Sequence, residues 1–71
     1  MKARRFSGEK FREVRESQGL TQRDLAAASG VSYPFISQLE TGHSVPTVDK
    51  AFRLADALKV SIYAITTRRR P

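Results

Sequence analysis

GLTQRDLAAASGVSYPFISQLETG, residues Gly19–Gly42, is the stretch whose reading decides the fold. It opens two helices and stops each of them with a glycine. Thr21 has the hydroxyl of an N-cap, and Asp24 three residues on resembles a capping box with Asp in place of the usual Glu or Gln. Leu25 and Ala26 supply the inner face of that helix, while Ala27 and Ala28 keep its profile slim enough for another helix to approach. After Gly30 and Val31, Ser32 caps a further helix that runs to about Glu40. Pro34 at its second position marks a start rather than a break, because first-turn N–H groups have no partner inside the helix. Two short helices joined by a tight glycine turn place one across the other at a steep angle.

Working outward, residues 8–18 form a first helix with Ser7 as N-cap and a thin stripe of Phe11, Val14 and Gln18. Gly19 and Gly42 read as C-terminal caps, since glycine enters the left-handed conformation without a Cβ penalty. Beyond Pro46, Thr47 caps a fourth helix with Asp49 near the positive end of the dipole. Its apolar positions are Val48, Ala51, Phe52, Ala55 and Leu58, the strongest amphipathic pattern in the chain. Ser61 then caps a last short turn from which Ile62 and Ile65 fold back onto the core. No segment alternates with period two. The expectation is all-α: a compact bundle of four to five short helices, without a sheet and without internal repeats.

Seventy-one residues suffice for one small domain and leave no room for a second core. The absence of cysteine removes disulfides, zinc fingers, iron–sulfur clusters and thiol nucleophiles, and His43 is the single histidine. No cofactor, metal site or small-molecule ligand is expected. No apolar run approaches the ~18 residues of a membrane span, so a cytoplasmic protein without a membrane partner is expected. The net charge of +6 is unevenly placed. Lys2, Arg4 and Arg5 at one end and Arg68, Arg69 and Arg70 at the other carry the whole excess, and the seven basic residues between them balance seven acidic ones. The chain therefore divides into a basic arm at 1–7, a formally neutral helical domain at 8–66 and a basic tail at 67–71. Two readings of the ends stand: arms that lie along a polyanion, or solvated termini. In the first, the neutral body is expected to fold without them.

Periodicity divides the helix that follows Ser32. At 100° per residue Phe35, Ile36 and Leu39 gather on the core side, whereas Tyr33, Pro34, Ser37, Gln38 and Thr41 form an exposed strip without a charge. With the strip in view, residues 19–42, the following VPTVDKAFRLADALKVSIYAI at 45–65 and the preceding FREVRESQ at 11–18 together resemble the lambda-repressor and Cro-like helix-turn-helix domains, the xenobiotic-response-element family.

That resemblance implies a bundle whose third helix enters the major groove of double-stranded DNA while the second crosses the backbone. It places Tyr33, Pro34 and Gln38 at base-reading positions with Ser37 beside them, and Gln22 at the family's phosphate-binding glutamine. Thr41, His43 and Ser44 fall at positions along the backbone or groove edge, and Arg15 and Glu40 at a pair linking the first and third helices. Lys59 stands where the family commonly has glycine, so that turn either strains Lys59 or closes differently.

The chemistry of these side chains sorts them further. Gln38 offers a donor and an acceptor matched to the N7 and N6 edge of adenine. Tyr33 has a ring for a thymine methyl and a hydroxyl for a phosphate, Pro34 has apolar contact only, and Arg23 beside Gln22 reaches toward phosphates. The expected function is a transcriptional regulator, most simply a repressor that occupies operator DNA and that a homodimer would suit. Catalysis is not expected, for want of a thiol, a metal cluster or a phosphate-cradling loop. The competing expectation is an antitoxin or adaptor that uses the fold to hold another protein, for which Ala27, Ala28 and Phe35 are suited. A bacterial or phage origin and a place at the nucleoid go with the leading reading.

Overall fold

A computed structural model describes residues 4–68. In chain order the elements are β1 (Arg4–Phe6), α1 (Gly8–Ser17), α2 (Gln22–Ser29), α3 (Tyr33–Thr41), α4 (Val48–Leu58), a 3₁₀ turn at Ile62–Ile65, and β2 (Thr66–Arg68). Every helix starts where a hydroxyl can take an orphan N–H. Ser7, Thr21, Ser32 and Thr47 accept from the backbone N–H of Lys10, Asp24, Phe35 and Lys50, and Ser61 does the same for Tyr63. Such caps are each worth about 1 kcal/mol. At Thr21 the box is reciprocal, since the Asp24 carboxylate accepts from the Thr21 N–H at 2.9 Å. Hydrogen bonding to the carboxylate by the Thr21 backbone N–H first, and by the Thr21 side chain second, holds the Asp24 carboxyl below its ordinary value.

The helices close over Phe11, Leu25, Val31, Ile36, Leu39, Leu54, Leu58 and Ile65, all nearly or fully buried. Leu25 comes from α2 and Ile36 and Leu39 from α3, as the periodicity requires. Gly8 seats the start of α1 against the end of α3: a Cβ there would collide with the carbonyl oxygen of Leu39, which is backbone and cannot yield. The turn between α2 and α3 closes on Gly30 at φ 75°, and α3 ends on Gly42 at φ 82°. Lys59 ends α4 at φ 59°, so the alternative that strains this residue is the one the chain adopts.

Three expectations need correction. The described residues contain a sheet: β1 and β2 pair antiparallel, Arg4 with Arg68, Arg5 with Thr67 and Phe6 with Thr66. Three-residue strands are too short to show a period, and what joins them is tertiary. Phe6 packs on Phe11 with ring centroids 5.4 Å apart, and the Ser7 N–H donates to Ile65 O at 2.9 Å. On α4 the buried stripe is Ala51, Leu54, Ala55 and Leu58, and it leaves Val48 and Phe52 75% and 50% exposed. Those two lie one turn apart on the flank that faces β1 rather than the helices. Ala27 and Ala28 face solvent, so no helix uses the slim profile they offer. No helix among the described residues is long and apolar enough to cross a membrane.

Candidate nucleic-acid interface

The exposed side of α3 presents Tyr33, Pro34, Gln38 and Thr41, with Ser37 half-buried between them. Both ends of this strip are tied down. At its start the Arg23 guanidinium lies 4.4 Å from the centroid of the Tyr33 ring, a cation–π contact across the α2–α3 turn. One ring face is thereby covered, while Tyr33 as a whole stays exposed. At its end the backbone carbonyl of Gln38 accepts from the N–H groups of His43 and Ser44 at 2.9 and 3.3 Å, which folds the loop back under the helix. Thr41 Oγ1 sits 2.7 Å from His43 Nδ1 and 3.2 Å from the carbonyls of Ser37 and Gln38, so these two loop-side residues are held together.

Beneath the strip lies a polar knot that fixes how α1, α2 and α3 meet. Arg15 Nε donates to Glu40 Oε2 at 2.6 Å and Arg15 Nη2 to Glu40 Oε1 at 3.0 Å, while Arg15 Nη1 donates to Leu20 O at 2.7 Å. The two side chains are only 10% and 4% exposed. The hydrogen bond to Glu40 raises the Arg15 pKa above its ordinary value, against the opposing effect of burial. Gln22 joins the knot, its Nε2 donating to Glu40 Oε1 at 3.1 Å. Gln22 is also the first residue of α2, where orphan N–H groups favour an anion. Gln22, Arg23 and Tyr33 line one shallow depression there.

The basic ends come together in the ribbon, which places Arg4 opposite Arg68. Arg4 is folded inward: Nε donates to Thr66 Oγ1 and Nη2 to Thr66 O, both at 2.8 Å, and its guanidinium covers the Tyr63 ring at 4.6 Å. Arg5 and Arg68 are exposed. Lys2, Arg69 and Arg70 lie outside the described residues.

Four features were missed in the reading of the sequence. Lys10 Nζ donates to the carbonyls of Tyr63 and Thr66 at 3.1 and 2.7 Å, across more than fifty residues. Gln22 meets Glu40, Arg23 stacks on Tyr33, and Ser44 Oγ donates to Gln38 Oε1 at 2.9 Å. Only the last two have a local trace, because each spans a single glycine turn.

The helix-turn-helix family profile matches residues 11–65. A protein of Sinorhizobium fredii described as an HTH-type transcriptional regulator, y4dJ, is 40% identical over 67 residues, which cover 94% of this chain and 87% of that one. The HTH-type transcriptional repressor RghR of Bacillus subtilis is 44% identical over 54 residues, covering 75% of this chain and 40% of RghR. Among solved structures, the restriction-modification controller protein C.AhdI of Aeromonas hydrophila superposes with a TM-score of 0.78 at 30% identity, over 80% of this chain and 86% of its own.

Proposed function

We propose, from the premise that this chain belongs to the helix-turn-helix family and is a DNA-binding transcriptional regulator of that family, that it represses by occupying operator DNA. In this reading α3 lies in the major groove. What carries the reading is the uncharged exposed strip of α3, joined by the Arg15–Glu40–Gln22 knot to an anion-favouring helix start. Gln38 reads a base edge, Tyr33, Pro34 and Ser37 pack beside it, and Gln22, Arg23, Thr41, His43 and Ser44 follow the backbone. Repression needs only occupancy, so no catalytic step is required, and the corresponding place of action is the bacterial nucleoid.

Gln38→Ala tests the base-reading role. It is expected to weaken binding to the preferred duplex by about 1–3 kcal/mol and to random duplex hardly at all, as read by fluorescence anisotropy. Equal losses on both duplexes would reject it.

The same proposal includes a pair of copies on DNA. Of the five large apolar side chains exposed among the described residues, Val45, Val48, Phe52 and Tyr63 line one groove together with Phe6 and Pro46. Monomeric proteins seldom leave such a cluster uncovered. The groove begins at Val45, next to the loop that carries His43 and Ser44, so a second copy seated there would continue the same DNA-facing surface. Sedimentation equilibrium of wild type and of Val48→Ser/Phe52→Ser should show a dimer for the first and a monomer for the second. An unchanged assembly state in the variant would remove the groove from the proposal.

A further inference from the structure

Two aromatic rings of α3 each hold a cation, and the two cations come from different helices. The Arg23 guanidinium of α2 lies 4.4 Å from the Tyr33 ring centroid, and the Lys50 ammonium of α4 lies 4.6 Å from that of Phe35. Both separations fall within the roughly 6 Å over which a ring face attracts a cation. Tyr33 and Phe35 stand two residues apart, about 200° of rotation at 3.6 residues per turn, and so mark opposite flanks of the helix. The arc between them on one side carries Ser37, Thr41, Pro34 and Gln38, the outward strip, and the arc on the other carries the buried Ile36 and Leu39. One cation therefore brackets the outward face of α3 on either side.

How these cations are held matters as much as where they lie. Arg12, Arg15 and Arg53 are each paired with a carboxylate, of Glu16, Glu40 and Asp49. Among the described residues, which include all seven acidic side chains, neither Arg23 nor Lys50 has such a partner. Asp49, next to Lys50 in the chain, is taken by Arg53 at 3.3 Å. A ring face orders a cation without cancelling its charge, so Arg23 and Lys50, both exposed, attract an anion without first breaking an ion pair.

We propose that Lys50 is a DNA-backbone contact that answers Arg23 across α3: Arg23 attracts a phosphate of one strand and Lys50 a phosphate of the other. The inference rests on the reading of α3 as the major-groove helix. That groove is about 12 Å wide, and an α-helix with its side chains is about 10–12 Å across. A helix lying in it has one sugar-phosphate backbone along each flank, and the two backbones belong to opposite strands. The proposal adds a residue of α4 to a contacting surface otherwise drawn from α2, α3 and the loop after α3. Phosphate contacts of this kind fix the register of the helix and carry no sequence information.

The test uses the full chain and a duplex that it selects from a randomised library. Lys50→Met keeps an unbranched apolar stem over Phe35 and removes the charge, Lys50→Arg keeps the charge, and thermal melting verifies that each is folded. Lys50→Met should weaken binding to the selected and to a random duplex by the same factor and flatten the slope of log affinity against log salt by about 0.9, and Lys50→Arg should restore both. Neutral methylphosphonates placed singly along each strand then locate the contacts. In wild type they should weaken binding at positions on both strands of a half-site. The position that loses its effect in Lys50→Met should lie on the strand opposite to the one that loses its effect in Arg23→Gln. Unchanged affinity and slope in Lys50→Met would make Lys50 a cover for the Phe35 ring and overturn the proposal, while sparing the DNA reading. Sensitive phosphates confined to one strand in wild type would overturn it whatever the variants do. No selected duplex for wild type would remove both the proposal and the reading beneath it.

Discussion

Lys59 shows how one residue can record a conflict between local and global needs. α4 ends in the left-handed region, φ 59° and ψ 40°, and its cap N–H bonds to Ala55 O and Asp56 O. A side chain there costs roughly 1–2 kcal/mol relative to glycine, which lacks the Cβ that meets the following carbonyl. The turn is nevertheless kept, because Val60 and Ile62 beyond it pack against the core. Lys59→Gly is therefore expected to stabilise the fold by about 0.5–1 kcal/mol in urea denaturation, the loss of chain entropy in glycine offsetting part of the relieved strain. DNA affinity should not change, since the relief lies in the fold and not in the interface. A destabilised Lys59→Gly would mean that the lysine stem contributes packing the strain does not outweigh. The position was legible in the sequence; which way the turn would close was not, because the answer depends on where Val60 must go.

At the scale of elements, the orientation of α3 rests on the Arg15–Glu40 pair more than on the turn that precedes it. A glycine turn permits a range of crossing angles, whereas a bidentate pair at 2.6 and 3.0 Å with both side chains shielded admits little. Breaking a buried pair by deleting one partner commonly costs about 3–5 kcal/mol, because the other charge is left without compensation. In a domain this small that is most of the stability. Arg15→Met and Glu40→Leu are thus expected to be largely unfolded at physiological temperature. The Arg15→Met/Glu40→Leu double variant should melt cooperatively and higher than either single one. A double-mutant cycle by thermal denaturation checks this, and additive losses would show that the two residues do not act as a pair. The double variant should also bind DNA more weakly than its stability explains, since Gln22 loses the carboxylate that fixes it. The pair itself was expected from family resemblance. The place of Gln22 in it was not, because an 18-residue separation leaves no local trace.

For the whole molecule, the ribbon changes what the basic ends are. Pairing Arg4 opposite Arg68 concentrates like charge on one short sheet, an arrangement that destabilises unless a counter-charge or inward bonding relieves it. Arg4, although exposed, is engaged by Thr66 and by the Tyr63 ring, and Arg5 and Arg68 are exposed beside it on the ribbon. Cutting away residues 1–5 would remove two of the three residues of β1, so truncation mixes loss of charge with loss of structure. Neutralising substitutions separate the two. If both cations lie along phosphates, Arg5→Gln/Arg68→Gln should lower affinity for specific and random duplex alike. The slope of log affinity against log salt should flatten by about 0.9 for each phosphate that is no longer neutralised, with sequence preference unchanged. An unchanged slope would make these two residues solvated ends.

What the sequence determined by itself is where each helix begins and ends and which side of α3 faces outward. Capping hydroxyls act on an N–H three residues away, and glycine and proline act on their own backbone, so these effects need no distant partner. A 3.6-residue period likewise sorts Ile36 and Leu39 from Tyr33 and Gln38 before any neighbour is known. Tertiary structure alone decided the rest. The ribbon, the bonds of Lys10 and Arg4, and the exposed groove at Val48 and Phe52 depend on two chain ends meeting about sixty residues apart. The bonds from Gln22 to Glu40 and from Ser44 to Gln38 depend on how one helix is held across another and on a left-handed turn at Gly42. Polar side chains that meet across such distances follow no sequence period, because their partners are chosen by how the apolar core has already packed.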